Sequence, residues 1–171
     1  MKWYIKVLSN YANFKGRARR KEYWMFVLFN FLIGIVIGMI DNVLGIENLQ
    51  LAGFKVGTTY TFGGTTYSTG LLRSLYDLFV FLPGLAVLVR RLHDTNKSGK
   101  LLLIYLIPIA LIFITALIKV AVLPLMILTG MILIIFSILI FVFTVIGGDE
   151  EVNDYGPNPK TDKFDADLLD I

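Results

Sequence analysis

Four long apolar runs restrict the fold of this chain more than any other feature of its sequence. They cover residues 23–40, 71–89, 101–118 and 124–146. A helix rises about 1.5 Å per residue, so the shortest runs reach about 27 Å, close to the thickness of a bilayer's hydrocarbon core. The pattern therefore predicts an all-α membrane protein with four transmembrane helices.

Composition supports the membrane class and excludes several kinds of site. Of the 171 residues, 56% are hydrophobic and 17% are charged, against about 45–50% and about 25% in a typical soluble domain. The absence of cysteine excludes disulfides, thiolate catalysis and cysteine-ligated metals. A single histidine cannot build a His-rich zinc site, so we predict no metal and no cofactor.

Charge is distributed unevenly along the chain. Residues 1–23 carry seven basic side chains and one acidic, residues 90–100 carry four and one, and residues 149–171 carry two and eight. Because basic segments stay in the cytoplasm, four crossings place both termini there. Basic groups that flank apolar runs indicate membrane topology rather than nucleic-acid binding. We expect one transmembrane domain, residues 1–148, and an acidic cytoplasmic tail, residues 149–171.

Two segments outside the apolar runs have a pattern of their own. Apolar side chains recur at helical spacing before the first run, which predicts a short amphipathic helix in the membrane interface, or the same helix packed on protein. In the far-side loop, residues 59–62 and 65–68 flank Gly63-Gly64, which predicts a β-hairpin, with an unstructured loop as the alternative. The apolar side chains of the N-terminal helix are Trp3, Tyr4, Val7, Leu8 and Tyr11.

The second apolar run contains an acidic and a basic residue. Arg73 and Asp77 are four apart, so they share a helix face and can pair. An intramembrane carboxylate suggests a functional site, whereas the alternative is an interfacial pair at the outer end of the span. In the first run, Gly34 and Gly38 form a Gly-x-x-x-Gly motif that permits close helix approach but predicts no specific dimer.

The loop 90–100 holds the densest group of reactive side chains, and three interpretations stay open. In the first, its basic residues fix topology, and Asp94 or Ser98 caps the next helix. In the second, arginines of this loop and of the N-terminal segment grip phosphate oxygens, most simply those of an anionic lipid headgroup. In the third, His93 beside Asp94 is a general base, although adjacent helical residues point about 100° apart. The arginines of the second interpretation are Arg17, Arg19, Arg20, Arg90 and Arg91.

Three motifs resemble a known family. The first, residues 14–24, reads Phe-Lys-Gly-Arg-Ala-Arg-Arg-Lys-Glu-Tyr-Trp. The second is Pro83 followed by residues 90–99, Arg-Arg-Leu-His-Asp-Thr-Asn-Lys-Ser-Gly, and the third, residues 153–159, reads Asn-Asp-Tyr-Gly-Pro-Asn-Pro. Together they are similar to the domain of unknown function 805 family of small bacterial inner-membrane proteins. Two departures are Lys100, where the family usually has an aromatic residue, and the loop 41–70. Motif residues to which the resemblance gives no role are Gly16, Tyr23, Trp24, His93, Asp94, Ser98 and Gly99.

The resemblance implies a multi-pass inner-membrane protein and no particular activity. The leading hypothesis is a non-enzymatic scaffold whose basic cytoplasmic face binds anionic lipid or an acidic partner. The alternative is a small oligomeric transporter or channel, with Asn30, Arg73 and Asp77 on a polar path. We expect the bilayer as partner, together with a second copy or another membrane protein. We also expect the acidic tail to fold onto the basic segments and to compete with anionic lipid.

Overall fold

The computed structural model describes residues 1–45, 50–51, 54–55, 59–62, 65–68, 70–118 and 123–161. Within these residues the chain forms α1 (Lys2–Ser9), α2 (Arg20–Leu44), α3 (Leu71–Asp94), α4 (Leu106–Ile118) and α5 (Leu123–Val145). Short strands lie between α2 and α3: β1 (Gln50–Leu51), β2 (Phe54–Lys55), β3 (Thr59–Phe62) and β4 (Thr65–Ser68). A 3₁₀ helix, Gly99–Tyr105, precedes α4, and another, Pro159–Thr161, follows α5.

Three of the described helices are long and apolar enough to cross a membrane. They are Arg20–Leu44, Leu71–Asp94 and the part Ile127–Val145 of α5. Their surfaces carry large apolar side chains such as Phe31 and Ile134, each 62% exposed. A soluble monomer rarely exposes apolar surface on this scale, so these faces are suited to lipid. The chain is therefore built as an integral membrane protein.

The third predicted span, 101–118, takes a different form. The first residues of this run belong to the 3₁₀ helix Gly99–Tyr105, and only the remainder of the run, α4, is α-helical. Pro108 stands in the first turn of α4, where its missing N–H costs no intrahelical hydrogen bond. The result is an apolar helix shorter than the other three, so a fourth crossing stays a prediction.

The described residues fall into two compact units. One comprises the described residues of Met1–Asn13 and Trp24–Ala86, and the other comprises those of Phe14–Tyr23 and Val87–Ile171. The domain boundary that the sequence predicts at residue 148 stays a prediction.

In the first unit, α1 packs on protein through its aromatic face. The Tyr4 ring stacks on Phe26 with 5.3 Å between centroids, and the Tyr4 hydroxyl lies 3.2 Å from Asn30 Oδ1 and 3.1 Å from the Tyr76 hydroxyl. Val7 is fully buried, whereas Ile5 is exposed. Tyr4 and Val7 thus meet protein, as the alternative interpretation of this helix predicts.

The strands pair in two antiparallel sets. Gln50 pairs with Lys55 and Leu51 with Phe54 between β1 and β2. Strands β3 and β4 have the extents that the sequence predicts, with Thr59 opposite Ser68. Residues 63–64, where the predicted turn falls, lie outside the described residues, so the complete hairpin stays a prediction.

Two contacts of the first unit involve the start of α3. The Asp41 carboxylate accepts hydrogen bonds from the backbone N–H groups of Leu72 (3.1 Å) and Arg73 (2.9 Å), which otherwise lack an intrahelical partner. The Arg73 guanidinium occupies the space where a Cβ at Gly34 would lie, whereas a Cβ at Gly38 would meet nothing within 4 Å. Gly34 of the Gly-x-x-x-Gly motif therefore serves a contact within the chain.

Candidate functional site

A set of buried charged side chains forms the centre of the second unit. We call Arg17, Glu22, Arg90, Arg91 and Asp94 the charged cluster. Three of them stand in the last two turns of α3, Glu22 is in the first turn of α2, and Arg17 precedes α2. All five are at most 8% exposed. Buried charges of this kind are tolerated when they are paired and hydrogen-bonded, so their partners define what the cluster does.

Asp94 is shared by two arginines. Arg17 Nε donates to Asp94 Oδ1 at 3.0 Å, and Arg91 Nη1, one helical turn before Asp94, donates to Oδ2. The remaining nitrogens of both arginines donate to backbone carbonyls. Arg17 bonds the carbonyls of Asp149, Glu151 and Gly156, and Arg91 bonds those of Thr144 and Ile146.

This arrangement matches the chemistry of arginine. A guanidinium carries five N–H donors in a planar fork, and unmade hydrogen bonds in a buried site are costly. Here the fork is satisfied partly by a carboxylate and partly by backbone carbonyls in the last turn of α5 and after it. The two arginines therefore fasten the end of α5 and the segment that follows it to the end of α3.

A second ion pair joins α2 to α3. Arg90 Nη1 donates to Glu22 Oε1 at 2.7 Å, and the side chains are 5% and 1% exposed. The backbone N–H of Ala18 donates to the Arg90 carbonyl at 2.9 Å. Among the described residues, Nε and Nη2 of Arg90 have no hydrogen-bond partner. The sequence predicts no role for Glu22, because its partner Arg90 lies 68 residues away.

His93 is held by a hydrogen bond and a ring contact rather than by its neighbour Asp94. Its Nδ1 lies 3.1 Å from the Gly16 carbonyl, and its ring stacks on Tyr155 with 3.8 Å between centroids. Gly16 has a φ of +80°, which glycine adopts without strain. Because Asp94 bonds Arg17 and Arg91, the geometry does not form the His93–Asp94 pair that a general base would require.

Two of the other motif residues, Ser98 and Gly99, have local contacts at the start of the 3₁₀ helix. Ser98 is the N-cap of the 3₁₀ helix, and its hydroxyl accepts from Lys100 N at 3.3 Å. A Cβ at Gly99 would meet Val89. Tyr23 is half-buried and Trp24 is 37% exposed in the first turns of α2. Of the two capping residues predicted for the loop, Ser98 is therefore the one that caps.

A cavity of about 120 Å³ opens beside the charged cluster, and four basic and two acidic residues are among those that line it. Of the five arginines predicted to grip an anion, Arg19 and Arg20 line this cavity, whereas Arg17, Arg90 and Arg91 are buried in ion pairs. Lys21 and Lys160 were missed. Lys160 lies in the tail, and the acidic excess of the tail gives no indication that one of its lysines joins a basic site. The lining residues are Arg19, Arg20, Lys21, Asp94, Gly148, Asp149, Asn158, Pro159 and Lys160.

The polar residues predicted for the spans lie in the first unit. Arg73 Nε is 2.9 Å from both carboxylate oxygens of Asp77, as their spacing predicts. Their side chains are 27% and 50% exposed. Asn30 Oδ1 accepts from the Tyr76 hydroxyl at 2.6 Å and from Tyr4.

The comparison with protein families assigns the chain. A family described as "Protein of unknown function (DUF805)" matches residues 11–157, a range that contains the whole charged cluster together with His93 and Tyr155. The chain belongs to the DUF805 family. This confirms the resemblance carried by the three motifs. Lys160 lies beyond the residues that the DUF805 match covers.

Two DUF805 relatives come from Escherichia coli K12. The inner membrane protein YhaH is 39% identical over 160 residues, which cover 94% of this chain and 98% of YhaH. The inner membrane protein YhaI is 43% identical over 108 residues, which cover 63% of this chain and 74% of YhaI. No solved structure matches the chain.

Proposed function

We propose that this protein is a non-enzymatic component of the bacterial inner membrane that binds the phosphate of anionic lipid headgroups at the cytoplasmic leaflet. In this proposal the chain crosses the membrane four times, with both termini in the cytoplasm. The observation that carries it is the cavity lined by Arg19, Arg20, Lys21 and Lys160. The names of YhaH and YhaI support the location.

The charge balance of the cavity favours a ligand with net negative charge. Four cations line it against two carboxylates. The Asp94 carboxylate already accepts hydrogen bonds from Arg17 and Arg91, which offset its charge. Arginine binds phosphate oxygens through its planar fork, and lysine acts as a point charge.

The size of the cavity favours a small anionic group. Pockets for drug-sized molecules measure about 300–1,000 Å³. A cavity of about 120 Å³ is too small for such a ligand but suits a single phosphate group.

The position of the cavity along the helices favours a lipid as the source of that phosphate. Arg20 is the first residue of α2, Val145 is the last of α5, and Arg20 Nη1 donates to the Val145 carbonyl at 3.1 Å. Both helices contain candidate spans. Their ends therefore bring the cavity to the level of the headgroups, where basic side chains attract anionic lipid.

The test measures lipid binding to the full chain in nanodiscs of phosphatidylglycerol or phosphatidylcholine. We expect bound phosphatidylglycerol to be retained in native mass spectra and phosphatidylcholine to be lost. A basic residue near an anionic surface contributes about 1 kcal/mol, so Lys21→Ala with Lys160→Ala lowers affinity by roughly thirtyfold.

The matched control is Lys97→Ala with Lys100→Ala, which removes the same charge from exposed positions that do not line the cavity. Equal losses in the two double variants would mean general attraction to the surface and would contradict the proposed site. Inorganic phosphate is titrated in parallel. If phosphate binds and no lipid preference exists, the site belongs to a soluble anion instead.

A further inference from the structure

Resting on the proposed function, we infer that headgroup binding and the docking of residues 149–160 on the charged cluster are coupled. Bound phosphate holds this segment docked instead of displacing it. We call residues 149–160 the docked segment. The coupling has the opposite sign to the competition that the acidic composition of the tail suggests.

The first support is that the docked segment forms one wall of the cavity. Asp149, Asn158, Pro159 and Lys160 come from this segment, and Gly148 directly precedes it. The other wall comes from residues 19–21 and Asp94. A ligand that contacts both walls requires the segment to be in place.

The second support is how the docked segment is held. Carbonyls of the segment accept from the Arg17 guanidinium, the Asp149 N–H donates to the Asp94 carbonyl at 2.8 Å, and Asn153 Nδ2 donates to the His93 carbonyl at 2.9 Å. Each such bond contributes much less net than it would in isolation, because water replaces it on release. Tyr155 on His93 adds one ring contact. Local release is therefore within reach of a ligand's binding energy.

The third support is where the charges of the docked segment lie. Glu150, Glu151 and Asp154 are exposed and do not line the cavity. Lys160 and Asp149 do line it. The Asp149 carboxylate accepts a hydrogen bond from Asn153 Nδ2 at 3.0 Å, whereas Lys160 adds a positive charge to those of Arg19, Arg20 and Lys21. Like charges on the two walls repel each other when no anion lies between them, and a phosphate removes this repulsion. Anion binding thus favours the docked state.

Linkage then works in both directions. If lipid binds the docked state more tightly, docking rises with lipid occupancy, and any agent that pulls the segment away weakens lipid binding by the same factor. A cytoplasmic partner that takes up residues 149–160 would release the headgroup.

The experiment follows hydrogen exchange of the docked segment in the full chain, in phosphatidylglycerol and in phosphatidylcholine nanodiscs. The Asp149 amide is the reporter, because its hydrogen bond joins the segment to the cluster. We expect exchange to slow by about fivefold or more in phosphatidylglycerol, the lower end of typical couplings. Lys160→Ala should remove this slowing, and Lys100→Ala should keep it.

The outcomes separate this inference from the proposed function. Lipid that binds while exchange of the segment stays constant or accelerates overturns the coupling and leaves the binding site intact. Absence of any preference for phosphatidylglycerol overturns both. The wild-type comparison uses no substitution, so it remains decisive if a variant fails to fold.

Discussion

Helix α3 carries an arginine–aspartate pair near each end, and the two pairs differ in their surroundings. Arg73 and Asp77, in the first two turns, contact one another with side chains 27% and 50% exposed. Arg91 and Asp94, at the last turn, are 0% and 7% exposed. Asp94 also binds Arg17, a residue 77 positions away in sequence.

The difference shows that sequence spacing predicts an ion pair but not how much the pair contributes to stability. An exposed pair contributes about 0–1 kcal/mol, because solvent already stabilises both charges. A buried carboxylate between two arginines cannot be removed without leaving two unpaired charges. We therefore expect small substitutions near the end of α3 to lower the stability of the protein and similar substitutions near its start to have little effect.

The largest effect is expected for Asp94→Asn. The substitution keeps the shape of the side chain and removes the charge that Arg17 and Arg91 share. Loss of one partner of a buried pair costs about 3–5 kcal/mol, and we expect a decrease of this size in the free energy of unfolding, measured by denaturant titration in detergent. The matched control is Asp154→Asn, which neutralises an exposed carboxylate of the docked segment. If both variants lose the same stability, the cluster does not hold the second unit together.

How much the sequence predicts depends on how far apart the interacting residues are. The three long helices are predicted from apolar runs, which are local features of the sequence. The Arg73–Asp77 pair is also local, because its members are four residues apart. The pairs Arg17–Asp94 and Arg90–Glu22 join residues 77 and 68 positions apart, and nothing local marks which arginine finds a carboxylate. From the sequence alone, all five arginines are therefore candidates to bind an anion. In the structure, Arg17, Arg90 and Arg91 are buried in ion pairs, whereas Arg19 and Arg20 are not buried.

An intermediate effect is expected for Gly148→Ala. This variant tests how firmly the Asp94 carboxylate is held, without changing Asp94 itself. A Cβ at Gly148 would overlap the Asp94 carboxylate, which Arg17 and Arg91 prevent from moving aside. Inserting a methyl group into such a packed site costs about 1–3 kcal/mol. We expect this loss of unfolding free energy, together with faster exchange of the Asp149 amide.

Gly147→Ala is the matched control for this variant. A Cβ there meets nothing within 4 Å, so a change within about 0.5 kcal/mol is expected. Equal losses at both glycines would point to the backbone of the turn and away from Asp94.

The smallest effect is expected for Gly34→Ala, although it too brings a Cβ onto a charged side chain. The Cβ would overlap the guanidinium of Arg73, the far end of a long side chain that is 27% exposed and can rotate away. Alanine also stabilises a helix interior by about 0.5–1 kcal/mol relative to glycine, which offsets the cost of moving Arg73.

Gly38→Ala is the matched control. A Cβ there meets nothing within 4 Å, so this variant gains the same helix preference without displacing a neighbour. We therefore expect the two variants to differ by less than about 1 kcal/mol in unfolding free energy. A loss at Gly34 as large as that at Gly148 would mean that Arg73 is held as firmly as Asp94, and the two ends of α3 would then not differ in the way their exposure indicates.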